Sequence, residues 1–137
     1  MTALIDTGFL LALIDTSDKL HLACRQALAQ ERNPLVPTPV LPELAYMVLR
    51  NVGYAPFLRF MRSTTRGEPP LIFAETADFV RATEIMERYA DSKIDFVDCM
   101  VAAMAERLNI SRILTVDQRD FRLFRPKHIP AFEILPQ

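Results

Sequence analysis

The sequence alternates short, continuous apolar runs with longer segments of helical periodicity, and this alternation restricts the fold more than any other feature. The apolar runs predict strands at residues 2–6, 35–36, 71–73, 113–115 and 132–135. Helical periodicity is present at residues 7–13, 20–30, 43–51, 55–64, 76–89 and 96–108. Continuous apolar strands are typical of parallel sheets that are covered on both faces. Strands that alternate with helices therefore predict an α/β sandwich with a mostly parallel sheet.

Length, charge and hydropathy exclude several classes of protein. A chain of 137 residues, half of them hydrophobic, is predicted to form one domain with a substantial core. Its formal net charge of -1 means that nucleic-acid binding would depend on a local patch or a metal ion. No apolar run reaches the length of a membrane span, and the first residues do not resemble a signal peptide. Two widely separated cysteines, Cys24 and Cys99, predict reduced core thiols in a cytoplasmic protein.

The composition also restricts the chemistry that the chain can perform. Only three glycines occur, so neither a phosphate-binding loop nor a dinucleotide-binding motif can be built. Two histidines, His21 and His128, are too few for a His-rich zinc site and leave little material for a Ser-His-Asp triad. No serine lies in a nucleophile-elbow pattern. The remaining candidates for chemistry are carboxylates.

Four acids follow the predicted strands or begin the predicted helices. Asp6 ends the first strand, Asp117 follows the fourth in ILTVDQRDF, and Glu43 begins the helix after the second. Asp98 lies in the first turn of an almost entirely apolar helix in SKIDFVDCMVAAMAERL. Such a helix is buried, so its first turn points into the protein. Because ligands of open α/β sheets bind beyond the carboxyl ends of the strands, we expect a functional site there.

Helix capping is the alternative role for these acids. Thr7 is predicted to cap the first helix, and Asp95 and Asp98 have the spacing of a capping box with Asp95 as N-cap. Taken singly, each of the other three acids is explained as well by a cap or turn as by a ligand role. Four acids at one edge of a sheet would repel one another unless a cation lay between them. Oxygen ligands without His or Cys favour Mg²⁺, with Mn²⁺ as the alternative, and such an ion suits phosphodiester hydrolysis.

Four segments together resemble PIN-domain proteins of the VapC toxin type, over almost the whole chain. They are LIDTGFLLALID, PELAYMVL, DFVDCMVAAMAERL and ILTVDQRDF, and their order and spacing carry the resemblance. It implies a PIN-like three-layer α/β sandwich with a mostly parallel five-stranded sheet flanked by helices, as a single nuclease domain over residues 1–137. It also implies a Mg²⁺-dependent endoribonuclease, the toxin of a type II toxin–antitoxin system, in which a metal-activated water hydrolyses RNA.

The resemblance assigns site residues one by one. Its three principal acids match Asp6, Glu43 and Asp98, and its variable fourth acid matches Asp117, with Asp120 as a nearby candidate. All four matched acids are expected to serve catalysis and metal binding. Asp6 and Asp98 should hold the ion most directly, while Glu43 and Asp117 complete the shell or orient the attacking water.

Further positions are expected around these acids. Thr7 and Thr115 match small polar residues that line the site, and Asp95 is placed beside it as a cap. Pro42 departs from the family pattern. Proline fits the first position of a helix, so this helix is expected to start late, which makes Glu43 the hardest acid to place.

Two groups of arginines are weak candidates for substrate binding, because arginine suits phosphate contacts. They are Arg59, Arg62 and Arg66 in the first group and Arg119 and Arg122 in the second. For any single one, an ordinary solvated position is the simpler explanation.

Partners and alternative functions complete the expectations. The resemblance implies an RNA substrate, a homodimer and a small cognate antitoxin that blocks the site, with no membrane association. The same residues also allow a housekeeping RNA-processing nuclease, or a non-catalytic RNA- or protein-binding module of the same fold. A phosphotransfer enzyme of the haloacid-dehalogenase type would need a second aspartate where Gly8 stands, and the acid pairs and late lysine of a receiver domain are not in place.

Overall fold

The computed structural model describes residues 2–136 and contains one five-stranded sheet in this range. The strands are β1 (Thr2–Ile5), β2 (Asn33–Pro37), β3 (Leu71–Ile72), β4 (Arg112–Leu114) and β5 (Glu133–Leu135). Their order across the sheet is β3-β2-β1-β4-β5, and every neighbouring pair is parallel. The predicted mostly parallel five-stranded sheet is confirmed.

Seven α-helices flank the sheet within residues 2–136. They are α1 (Thr7–Ile14), α2 (His21–Ala29), α3 (Leu41–Asn51), α4 (Tyr54–Thr65), α5 (Thr76–Arg88), α6 (Phe96–Leu108) and α7 (Arg119–Leu123). Helix α1 packs against α2, α3 and α4, whereas α6 packs against α5 and α7. None of the helices in the described part of the chain has the length and hydropathy needed to span a membrane. The assignment of residues 1–137 to a single domain stays a prediction.

The centre of the sheet explains why the first apolar run is continuous. β1 lies between β2 and β4, and Ala3, Leu4 and Ile5 are all completely buried. Side chains that point to either face of this strand therefore meet packed helices rather than solvent. Helix α6 is buried from Cys99 to Ala105, in agreement with its apolar sequence. Both cysteines are buried and unpaired, as predicted.

Several element boundaries differ from the sequence-based expectation, among them those of β3 and β5, and one helix was missed. β3 ends at Ile72, because Phe73 already turns outward with 67% of its surface exposed. Phe132 precedes β5 but is buried, since its ring packs against those of Phe121 and Phe124. The missed helix is α7, whose five residues are too short to show helical periodicity.

Two reciprocal ion pairs join α5 to α6. Arg81 of α5 donates two hydrogen bonds to the carboxylate of Glu106, at 2.6 and 3.2 Å. In the opposite direction, Arg107 of α6 binds both carboxylate oxygens of Asp78, at 2.8 and 3.0 Å. Bidentate arginine–carboxylate pairs fix orientation as well as distance. They therefore hold the helix that carries Asp98 in place against its neighbour.

Candidate active site

A cavity of about 340 Å³ lies at the carboxyl ends of the central strands. It is lined by Asp6, Thr7, Gly8, Glu43, Met47, Asp95, Asp98 and Asp117. All four acids that the sequence singled out thus border one space, although they come from distant parts of the chain. A larger cavity of about 500 Å³ beside the start of β2 is lined by none of the predicted site residues.

Asp6 directly follows β1 and is buried in the floor of this cavity. Its N–H donates to the carbonyl oxygen of Leu114 at 2.9 Å, which extends the pairing of β1 with β4. Burial, together with the neighbouring Glu43 and Asp117, raises the pKa of its carboxyl group to about 6, although hydrogen bonds from Thr7 N–H and the Thr115 hydroxyl oppose the shift. The carboxylate form is thus destabilised by burial and by its acidic neighbours, and a bound cation would stabilise it.

Asp98 experiences the same effects more strongly. It is the third residue of α6 and only 7% exposed. Burial, together with the neighbouring carboxyl groups of Asp6, Asp120 and Asp95, raises its pKa to about 10. Without a cation, the folded protein therefore favours the protonated form of this side chain at neutral pH.

The predicted capping box of Asp95 and Asp98 is wrong, because neither side chain binds the backbone N–H of the other, although Asp95 does cap the helix. Asp95 is the N-cap of α6, and its Oδ2 accepts the N–H of Val97 at 3.0 Å. The backbone N–H of Asp95, however, donates to Oδ2 of Asp120 at 3.1 Å rather than to Asp98. Asp98 is consequently free to border the cavity.

Thr115 links Asp6 to the loop that carries Asp117. Its hydroxyl is completely buried and lies 2.9 Å from Oδ2 of Asp6, to which it donates. The hydroxyl oxygen of Thr115 also accepts the N–H of Asp117 at 3.2 Å. One hydroxyl thus orients the acid that follows β1 and fixes the loop after β4, although Thr115 itself does not border the cavity.

Thr7 does not have its predicted capping role. Asp6 occupies the N-cap position of α1, and Thr7 is the first helical residue. The Thr7 hydroxyl is buried and has no hydrogen-bond partner among residues 2–136. Because buried polar atoms are nearly always paired, this oxygen beside the acids is suited to a ligand.

Glu43 is placed by a helix that begins earlier than expected. A short 3₁₀-helix, Thr38–Val40, leads directly into α3 at Leu41, so Pro42 lies inside the first turn rather than delaying it. Proline is tolerated there because the N–H groups of the first turn have no helical partner. Met47, one turn after Glu43, also lines the cavity, and the helical repeat from Glu43 would have identified it.

The predicted substrate-binding arginines do not line the cavity. Those of the first group, Arg59, Arg62 and Arg66, are exposed on or directly after α4. In the second group, Arg119 binds Oδ1 of Asp120 at 2.6 Å, and Arg122 binds Oε1 of Gln118 at 2.5 Å. Their role in binding a substrate stays a prediction.

Gly8 was not predicted as a site residue, but the space around it requires glycine. A Cβ atom at this position would lie 2.7 Å from Cγ2 of Val116, the residue before Asp117. Contacts this short do not occur without a shift of the neighbouring atoms. The close approach of α1 to the loop after β4 therefore depends on the absence of a side chain.

Gly8→Ala is expected to destabilise the protein by about 1–2 kcal/mol, because overpacking outweighs the gain in helix propensity. In a Val116→Ala background, which removes the clashing methyl group, the same change should cost less by about 1 kcal/mol. Urea unfolding of the four proteins of this double-mutant cycle measures both quantities. Equal costs in the two backgrounds would show that the contact with Val116 is not the cause.

The donor set fits a hard divalent cation. Four carboxyl groups and the unpaired Thr7 hydroxyl supply only oxygen atoms, which Mg²⁺ and Mn²⁺ prefer. The raised pKa values of Asp6 and Asp98 indicate a shortage of positive charge at this point. Within residues 2–136, no three acidic, His or Cys side chains converge closely enough to form a completed ion site. The residues therefore fit a divalent ion by the chemistry of their donor atoms, and not by a completed coordination geometry.

The family model for the PIN domain matches residues 3–125 of the chain. The chain belongs to the PIN domain family. Ribonuclease VapC26 of Mycobacterium tuberculosis is 31% identical over 134 residues, which is 97% of this chain and 99% of the relative. The resemblance to PIN-domain proteins of the VapC type, stated from four sequence segments, is confirmed.

Solved structures share the PIN domain fold at lower sequence identity. VapC20 of M. tuberculosis, a toxin that cleaves the sarcin–ricin loop, superposes with a TM-score of 0.75 at 19% identity, covering 81% of this chain and 86% of that one. VapBC2 of Rickettsia felis, bound to a DNA fragment from its promoter, superposes with a TM-score of 0.71 at 16% identity, covering 99% and 100%. These structures support the fold of this PIN domain.

Proposed function

We propose that this PIN domain is a Mg²⁺-dependent endoribonuclease and the toxin of a type II toxin–antitoxin system. The observation that carries the proposal is the single cavity bordered by four acids from separate elements. The acidic chemistry suits phosphodiester hydrolysis, and the related VapC26 is a ribonuclease of the same length. RNA is therefore the proposed substrate.

Asp6, Glu43, Asp98 and Asp117 are the residues that would hold Mg²⁺, or Mn²⁺ in its place. When bound, the ion would supply an activated water and neutralise charge that develops on the phosphoryl group. The chain itself orients these ligands. Thr115 holds one carboxylate oxygen of Asp6 by a hydrogen bond, and burial of Asp98 strengthens its attraction to a cation.

The side chains that bind the RNA backbone must lie outside the cavity. None of the residues that line it is basic, so its own side chains repel phosphate groups. The exposed arginines of α4 and of the α7 region are the candidates to attract the RNA backbone. The near-neutral net charge keeps such attraction local rather than general.

The partners follow from the same proposal. Similar structures include toxin–antitoxin complexes, among them one from Klebsiella pneumoniae with a TM-score of 0.66. We propose that a cognate antitoxin covers the cavity and that an inserted arginine could pair with its carboxylates. A homodimer and a cytoplasmic location belong to this proposal.

RNA cleavage by the purified protein is expected to stop when a chelator removes divalent ions, and to return when Mg²⁺ or Mn²⁺ is restored. The reason is that the cavity offers only carboxylate and hydroxyl oxygens and contains no histidine or cysteine to replace an ion. A gel assay on a generic RNA measures this, with Asp6→Asn purified in parallel to reveal contaminating nucleases. Cleavage that persists in excess chelator, and only in the wild-type preparation, would refute the metal mechanism.

A further inference from the structure

Asp120 is almost completely buried but does not line the acidic cavity. It is 6% exposed, and both of its carboxylate oxygens have partners. Oδ2 accepts the backbone N–H of Asp95 at 3.1 Å, and Oδ1 accepts a hydrogen bond from Arg119 at 2.6 Å. Because Asp120 does not border the cavity and each of its oxygens already accepts a hydrogen bond, its position does not favour the role of an ion ligand. Its contacts indicate a role in holding the first turn of α6.

Helix α5 shows what the same sequence spacing normally produces. Its N-cap is Glu75 and its third residue is Asp78, and the backbone N–H of Glu75 donates to Oδ2 of Asp78 at 2.8 Å. The capping box of α5 is therefore complete. Helix α6 has an acid at both equivalent positions, Asp95 and Asp98, so the carboxylate of Asp98 would be expected to bind the N–H of Asp95.

We propose that Asp120 is a positioning residue that takes the place of Asp98 in this capping box. Because Asp120 satisfies the N–H of Asp95 from α7, the carboxylate of Asp98 is released from its local partner. It can then border the cavity, where it is available to a cation. The part of this proposal that concerns the cation rests on the proposed function, whereas the exchange of capping partners does not.

Arg119 stabilises the buried carboxylate of Asp120. Its guanidinium pairs with Asp120 and also donates to the carbonyl oxygen of Ser92 at 2.8 Å, so it joins α7 to the segment before α6. Asp120 and Asp98 lie within hydrogen-bonding reach of each other, and two buried acids so close would repel if both were ionised. The positive charge of Arg119, 2.6 Å from Oδ1 of Asp120, reduces this repulsion.

Two substitutions distinguish a positioning residue from a ligand. Asp120→Asn keeps an oxygen that can accept the N–H of Asp95, whereas Asp120→Ala removes it. Mn²⁺ binding to the full-length protein is measured by isothermal titration. Asp120→Ala is expected to bind Mn²⁺ at least about tenfold more weakly than the wild type, the usual effect of losing a residue that orients a ligand, and Asp120→Asn to stay within about threefold. Equal, large losses in both variants would make Asp120 a ligand, and no loss in either would remove its role.

A second readout does not depend on the ion. In a crystal structure of metal-free Asp120→Ala, the carboxylate of Asp98 is expected to rotate and accept the N–H of Asp95, as Asp78 does for Glu75. An unmoved Asp98 would overturn the proposal.

If the wild type bound no Mn²⁺, the proposed function would fail, but this structural comparison would still test the exchange of partners. If Asp120→Ala does not fold, Asp120→Asn still decides against the proposal whenever it loses Mn²⁺ binding tenfold or more.

Discussion

Asp98→Asn is expected to lower the rate of RNA cleavage at least about a hundredfold, because charge stabilisation by a metal ion is worth several kcal/mol and ~1.4 kcal/mol corresponds to a factor of ten. The amide has almost the same size as the carboxyl group, so the packing of α6 should survive. What is lost is an anionic ligand in the most acidic part of the cavity. Single-turnover cleavage of a defined RNA at saturating Mg²⁺ measures the effect, and circular dichroism checks the fold.

Asp95→Asn is the matched control. Asparagine is as good an N-cap as aspartate, so the bond to the N–H of Val97 should persist and much of the activity should remain. The two residues lie one helical turn apart on the same cavity, which makes the comparison strict. If Asp95→Asn were the more damaging change, the roles of cap and ligand would have to be exchanged.

Asp98→Asn should also increase the stability of the fold when a chelator removes divalent ions. The pKa of Asp98 is raised from 3.8 to about 10 in the folded protein, so its contribution to stability is fully present below pH 3.8 and is lost as the pH rises towards 10. Asparagine cannot ionise and avoids this loss. The midpoint of thermal unfolding of Asp98→Asn should therefore exceed that of the wild type at pH 8, and the difference should shrink at pH 4. An equal difference at both pH values would show that packing, not ionisation, separates the two proteins.

If the proposed function holds, expression of the wild-type protein alone is expected to stop bacterial growth, and co-expression of a cognate antitoxin to restore it. The reason is that the acidic cavity is open to RNA until a partner protein covers it. Colony counts after induction, with and without the antitoxin, measure the effect. The matched control is Asp6→Asn, which removes a buried acid of the cavity and should be harmless at the same protein level.

Harmless wild-type protein that nevertheless cleaves RNA in vitro would contradict the toxin assignment. A housekeeping role in RNA processing would then be the better explanation of the same acidic cavity. Toxicity that persists unchanged in Asp6→Asn would instead separate the growth defect from the nuclease site.

The order of strands and helices along the chain could be predicted because buried strands and apolar helices are visible in short stretches of sequence. The apolar run before Asp6 is buried on both faces, and parallel strands place Asp6 and Asp117 at the same edge of the sheet. Asp98 could be assigned to this edge because an all-apolar helix buries its first turn. Each of these inferences needs only a short window of sequence and one rule of geometry.

The details that could not be predicted depend on contacts between distant residues. Sequence spacing alone gives α5 and α6 the same capping box, and only the arrival of Asp120 from α7 distinguishes them. The requirement for glycine at position 8 likewise comes from Val116, which is far away in sequence. The preference of threonine for the N-cap position also predicted Thr7 as the cap. The hydrogen bond from the N–H of Asp6 to Leu114 instead makes Asp6 the residue that precedes the helix.

The central position of β1 also has a consequence for protein synthesis. Of the five strands, this one is translated first, but it pairs with β4, and the hydroxyl that orients Asp6 belongs to Thr115. The sheet centre therefore stays incomplete until residues 112–115 have been translated. Chains that end early, at a premature stop codon or on a stalled ribosome, would lack both the partner strand and the loop with Asp117. The acidic cavity would thus form only after the codons for residues 112–117 have been read.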